Sequence, residues 1–132
     1  MTPTDAAAQE ARRLQTLEEL GVLNLDVDPV LDGLVRCAAR LVDTPIALVT
    51  LIDADQQWHK SREGLDMPVL PRAHAFCQHN LQGDDIMEVG DATCDERFRA
   101  NPLVLGEPHV RFYAGVPLQM EGVTLGSLCV LD

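Results

Sequence analysis

The sequence predicts an α+β domain: a mainly antiparallel sheet of about five to six strands, with helices packed on at least one face. Three observations carry this. Two stretches of helical period open the chain. Two strand–turn–strand units, Pro45–Ser61 and Arg111–Leu131, then bracket the rest. Between them, residues 62–110 have neither period for long, and an excursion of that length is usually functional rather than a connector.

Taken in order, Asp5–Leu20 reads as a helix because Ala7, Ala11, Leu14, Leu17 and Leu20 recur at spacings of three and four, with Gly21 as its stop. The stripe is narrow, and the opposite face carries Glu10, Arg13 and Glu18. Such a seam suits one other helix, either that of a second subunit or an element of the same chain. The second helix has Asp28 as N-cap and Pro29 at its first position. Val30, Leu31, Leu34, Val35, Ala38, Leu41 and Val42 form its apolar face, with Cys37 at the flank. Pro45–Ile52 is apolar on both faces, as in a strand covered on both sides. Asp53–Asp55 turns the chain into a polar return strand, Gln57–Ser61, which contains Trp58. Residues 64–71, with two prolines, read as a loop, 71–81 as a short helix, and Ile86–Val89 as a short strand. Residues 91–101 read as a loop with a helical turn, and 102–109 as irregular. Arg111–Leu118, a turn at Glu121-Gly122, and Leu125–Leu131 form the closing hairpin.

Composition narrows the function. Ten Lys and Arg stand against 21 Asp and Glu, a formal net charge of −11. A surface that acidic repels phosphate backbones, so direct nucleic-acid binding is not expected. No apolar run is long enough to cross a bilayer, and the N-terminus lacks the apolar core of a secretion signal, so the expected setting is the cytoplasm without membrane insertion. Cys37, Cys77, Cys94 and Cys129 form no CxxC pair and read as reduced, mostly buried thiols.

The stretch Pro71–Leu81 (PRAHAFCQHNL) concentrates the chemistry. His74, Cys77 and His79 are its candidate metal ligands, but their spacing speaks against a site. On a helix, 74 and 77 share a face while 79 points away; on a strand, 77 and 79 share a face and 74 opposes them. The alternative is a short helix whose apolar face holds Ala73, Phe76, Cys77 and Leu81.

The succession LEELGVLNLDVDPVLDGLVRCAARL, TPIALVTLIDADQQWHKS, AFCQHNL, DATCDERFRANPLV, RFYAGVPL and LGSLCVLD resembles GAF domains, in particular the bacterial group found ahead of histidine-kinase or diguanylate-cyclase modules. The likeness runs from about Leu14 to Asp132 and is most specific in its last two segments. It implies one domain with a central antiparallel sheet, helices on one side that often dimerise, and a ligand pocket on the other under a cover of loops and a short helix. Related domains continue past the position of Asp132 into a helix leading to an effector, so the chain reads as a sensor module without its output domain. The pocket walls implied are residues 57–61, 71–82, 91–104 and 111–118.

Within those walls, Trp58, Phe76 and Tyr113 offer ring surfaces and Cys77 a thiol. His79, Asp91 and Arg111 offer hydrogen bonds or charge, as does Arg97. Each also has a structural reading: Trp58 as sheet cover, Asp91 as a cap, the arginines as partners of carboxylates. Pigment attachment at a Cys-His pair is not expected, since Gln78 separates Cys77 from His79. The NKxnFxxxDE signature of cyclic-nucleotide-binding GAF domains is missing too. The resemblance names no cofactor. It implies a non-catalytic sensory module that binds a small molecule, forms a homodimer through terminal helices, or both, so as to control a histidine kinase or diguanylate cyclase. The alternatives are a ligand-free dimerisation module and a thiol-dependent reductase of free methionine sulfoxide using Cys77 and Cys94.

Overall fold

A computed structural model describes residues 3–132. Helix α1 spans Pro3–Leu20 and ends at Gly21, whose φ of +63° is the left-handed conformation glycine adopts freely. Helix α2 spans Pro29–Val42; the Asp28 carboxylate accepts from the amides of Val30 and Leu31, and Pro29 occupies the first turn. The strands β1 (Ile46–Ile52), β2 (Gln56–Glu63), β3 (Val69–Pro71), β4 (Met87–Val89), β5 (Tyr113–Met120) and β6 (Val123–Leu131) form one antiparallel sheet, in the order β3-β2-β1-β6-β5-β4. As expected of an α+β domain of this type, α1 and α2 cover one face. The excursion between β2 and β5 covers the other.

Several elements depart from the sequence reading. Residues 64–71 are not all loop: Val69–Pro71 pairs with β2 as an edge strand, where a terminal proline removes no ladder bond. The stretch 71–81 is not one helix but two 3-10 turns, Arg72–His74 and Cys77–Asn80. Ala75 between them is extended, and Asn101 Nδ2 donates to the freed His74 carbonyl at 3.1 Å. Another 3-10 turn, Ala92–Cys94, is capped by Asp91, and residues 102–109 contain a short helix α3, Pro102–Leu105, capped by Asn101.

Two β-bulges set which side chains face the excursion. One lies in the β1–β2 pairing at Val49/Thr50, the other in the β5–β6 pairing at Leu118/Gln119. Ile46, Leu48, Thr50 and Ile52 of β1 face the excursion, while Ala47, Val49 and Leu51 face the helices. Helix α2 buries Val35 and Ala39 against Ala47, Val49 and Val130. Only part of its apolar face is used, and Val30 and Leu41 are 75% and 81% exposed. The α1 stripe packs on its own sheet, with Leu14 and Leu17 against Leu51, Trp58, Val123 and Leu125. Arg13, assigned by its charge to the outer face of α1, is 2% exposed. Its guanidinium reaches the Ile52 carbonyl at the end of β1, which satisfies a backbone acceptor the strand leaves open.

Candidate functional site

The face of the sheet opposite the helices carries the largest apolar cluster. Ile46, Leu48 and Ile52 of β1, Tyr113 of β5, and Cys129 and Leu131 of β6 form its floor. Phe76, Cys77, Leu81, Val89, Ala92, Phe98, Val104 and Val110, supplied by the excursion, close it from above. The cover is held by rings: Phe76 stacks on Phe98 at 4.1 Å with the planes 2° apart, and Tyr113 lies 5.3 Å from Phe76. What remains inside is a cavity of about 20 Å3, room for about one water molecule. Any larger occupant must displace part of the cover.

The cavity wall holds a chain of polar groups that the apolar packing isolates. On β2, Gln57 and His59 point inward two residues apart, and His59 is 0% exposed. The Cys77 thiol donates to Gln57 Oε1, the Gln57 amide lies 3.0 Å from His59 Nε2, and His59 Nδ1 lies against the Met67 carbonyl. A carbonyl only accepts, so Nδ1 carries the proton and Nε2 accepts from the Gln57 amide. The ring is thereby a neutral imidazole, and burial pushes its pKa down. A second arm runs from Cys77 Sγ to Thr50 Oγ1 at 3.2 Å and on to Ser127 Oγ at 3.1 Å. Burial pushes the Cys77 and Cys129 thiols and the Tyr113 phenol up, so all three stay protonated at neutral pH. No residue lining the cavity bears a charge, and its hydrogen-bonding groups are all neutral.

The sequence candidates distribute unevenly over this geometry. Phe76, Cys77 and Tyr113 line the cavity. Trp58 does not: neighbours on a strand point oppositely, and with Gln57 and His59 inward, Trp58 lies on the α1 side, its indole donating to Asp53 Oδ2 at 2.9 Å. Asp91 is exposed and spends its carboxylate on the amide and hydroxyl of Thr93, bonds that lower its pKa. Arg111 donates to the carbonyls of Val104 and Val110 and so ties down the excursion from outside. Arg97 pairs with Asp95 at 2.8 Å, its guanidinium over the outer side of Phe98. His79 meets the edge of Phe98, with ring centroids 4.9 Å apart, and faces an outer cleft rather than the cavity. Burial, then the nearby Arg97 charge, pushes its pKa down.

The trio His74, Cys77 and His79 does not converge, and among the described residues no group of three or more His, Cys, Asp or Glu is placed to hold a metal ion. Cys94 is exposed and turned to Asp91, whereas Cys77 is buried against the sheet. They do not form a thiol pair. Sequence reasoning missed Thr50 and Ser127, and it singled out no pocket role for Gln57, His59 and Phe98, although they fall within the wall segments 57–61 and 91–104. A signal for the first two was present: Thr50 and Ser127 interrupt runs that are otherwise apolar, and a polar group inside a buried strand requires a partner. On β2, His59 stands two residues from Gln57 and so shares its face.

A family model for the GAF domain matches residues 26–132. The chain is 44% identical over 124 residues to a cyclic di-GMP phosphodiesterase of Pseudomonas aeruginosa; the match covers 93% of the chain and 21% of that protein, so the chain spans about a fifth of its relative's length. The GAF domain of a phosphoenolpyruvate-protein phosphotransferase from Coxiella burnetii superposes with a TM-score of 0.65 at 15% identity, covering 96% of this chain and 79% of that one. A free methionine-R-sulfoxide reductase from Neisseria meningitidis, solved with its substrate, superposes with a TM-score of 0.63 at 18% identity, covering 100% of this chain and 78% of that one. At those identities the two structures speak for the fold alone. The family model and the shared architecture lead to one conclusion: the chain belongs to the GAF domain family.

Proposed function

We propose that this GAF domain is a cytoplasmic sensory module that takes a small uncharged molecule between sheet and cover and thereby biases an output domain acting on cyclic di-GMP. The observation that carries the ligand class is the neutral chain Cys77–Gln57–His59 facing a cavity without a charged wall. An anion or cation entering it would lose its hydration and meet no counter-charge, a cost of several kcal/mol or more. A neutral ligand with one donor and one acceptor could exchange its hydrogen bonds with Gln57 and His59. The name of the 44%-identical relative supports cyclic di-GMP turnover over a histidine kinase as the output. In this reading the domain performs no catalysis; a buried Cys77 whose pKa is raised is a poor nucleophile.

The test is thermal denaturation of the domain against two panels, uncharged amides, alcohols and heterocycles on one side and cyclic nucleotides and carboxylates on the other. Binding from the first panel at a hundredfold excess over Kd adds about 2.7 kcal/mol of stability, and His59→Leu abolishes the shift. Stabilisation by anions alone would refute the ligand class.

A second property, homodimerisation, is favoured by α2. Its unburied residues Val30, Leu34, Cys37 and Leu41 stand at spacings of four, three and four, the period of a helix–helix seam. Leu34→Glu is expected to leave the fold intact and reduce self-association in sedimentation. An unaltered monomer–dimer distribution would remove α2 from the interface.

A further inference from the structure

We propose that Glu10, gripped at once by Arg13 and Arg72, is a clamp that makes opening of the pocket cover and release of the N-terminal end of α1 a single event. The inference rests on residues 72–81 being the part of the cover that must yield when the pocket fills. Arg72 begins that segment; Phe76 and Cys77, its inward residues, close the cavity. On the α1 side, Arg13 Nε and Nη2 each donate to the Glu10 carboxylate at 2.9 Å, while Arg13 Nη1 holds the Ile52 carbonyl. From the cover, both terminal nitrogens of Arg72 donate to the same carboxylate, and Arg72 Nη1 also reaches the Asp53 carbonyl at 3.0 Å.

The arrangement is a joint rather than a surface ion pair. Arg13 is fully buried, so its guanidinium keeps Glu10 whatever the cover does. Arg72 is the partly exposed, releasable half. Beyond the joint, Ala6, Ala7 and Gln9 of α1 face Gln78, His79 and Gln82 across an open cleft of about 550 Å3, so helix and cover do not pack directly there. A shift of residues 72–81 that also frees the Arg72 amide from the Asp55 carbonyl pulls Arg72 from Glu10, and loss of the Glu10–Arg72 grip loosens the cover in return, since coupling between two sites is reciprocal.

The test needs no ligand. In a Cys37→Ser, Cys94→Ser background the remaining thiols are Cys77, in the cover, and Cys129, on the cavity floor beneath it. Labelling of Cys77 by a thiol reagent, resolved by peptide mass, then reads cover opening, and amide exchange in the central strand β1 reads global opening. Arg72→Met removes the releasable half and leaves Glu10 with Arg13. It is expected to speed Cys77 labelling about tenfold while exchange in β1 stays unchanged. Glu10→Gln, which also leaves the buried Arg13 without its counter-charge, should speed it at least as much, and the double variant should be no faster than Glu10→Gln alone. The converse arm loosens the cover with Phe76→Ala: amide exchange in residues 6–12 rises when Arg72 is present and gains nothing further in the Arg72→Met background. Acceleration of Cys77 labelling no greater than that of β1 exchange, multiplicative effects in the double variant, or α1 exchange indifferent to Phe76→Ala would each overturn the clamp. None of these outcomes bears on whether the pocket binds a ligand, which the stability panels decide separately.

Discussion

Acidification should destabilise this domain through His59 before any carboxylate is involved. The ring is completely buried, donates from Nδ1 to the Met67 carbonyl and accepts at Nε2 from the Gln57 amide. A second proton on Nε2 would set two donors against each other at 3.0 Å. Relief requires the Gln57 amide to turn over, which offers its N–H to the Cys77 sulfur in place of an oxygen acceptor for the thiol. The imidazolium would also be buried without a carboxylate nearby and with the Arg62 charge opposing it. Burial is the largest cause of the lowered pKa.

The sign follows from proton counting. As pH falls through the ordinary imidazole value of about 6.5, the unfolded chain takes up a proton that the folded ring refuses, so stability drops. The slope is at most about 1.4 kcal/mol per pH unit, and the ceiling on the loss from this residue at pH 5.5 is about 1.4 kcal/mol. Above the ordinary value the contribution is flat. Carboxylates with lowered pKa values titrate well below this window, and the raised thiols lie above it. Urea unfolding followed by fluorescence of Trp58, the one tryptophan, measures the slope between pH 8 and 5. His79 shifts in the same direction, so His79→Asn serves as the reference. On that reference, His59→Gln should lower stability at pH 8 and flatten the slope between pH 7 and 5.5. Parallel slopes with and without His59 would refute the neutral, doubly bonded ring.

Other perturbations test the frame around it. The Glu10 carboxyl, held to about 2 chiefly by its hydrogen bonds to Arg13, contributes stability that is present above its ordinary value of 4.5 and is lost as pH falls through about 2; Glu10→Gln should erase that acid limb in the same titration. Phe98→Ala removes a ring that is 0% exposed and stacked on Phe76, and should cost about 3–5 kcal/mol in urea, whereas a loss near 1 would mean the cover is loosely packed. At Gly126 a Cβ would stand 1.8 Å from the Thr50 carbonyl oxygen of the neighbouring strand, so Gly126→Ala should cost about 3 kcal/mol by denaturant midpoint; a neutral result would mean that β1 and β6 do not approach so closely there.

What the sequence revealed and withheld follows from which forces are local. Caps, turns and period are written within a few residues, so the Asp28-Pro29 start of α2, the Glu121-Gly122 turn and the two hairpins are legible at sight. The facing of side chains is a different matter. β1 is apolar on both sides because helices cover one face and the excursion the other, and such a strand carries no mark of which side is which. Its partner β2 inherits the ambiguity, and so Trp58 could be placed among the pocket walls when Gln57 and His59 hold that position. The bulge between Val49 and Thr50 compounds this, because it leaves Ser61 on the α2 side, bonded to Asp32, while His59 stays inside.

Helices raise the same difficulty in another form. On α2 the apolar arc is wider than the sheet can bury, so sequence shows the arc and only packing selects the half that includes Val35 and Ala39. On α1 the rule that charge faces water fails at Arg13, since what draws it inward is the Ile52 carbonyl 39 positions further along the chain. The polar groups at the centre of this domain are the ones local pattern reads worst, because each is tolerated only by a partner on another element. Cys77 needs Gln57, Thr50 needs Ser127, and Arg13 needs Glu10 and a strand end. Local rules give the scaffold, and the buried exceptions to them mark where to look for function.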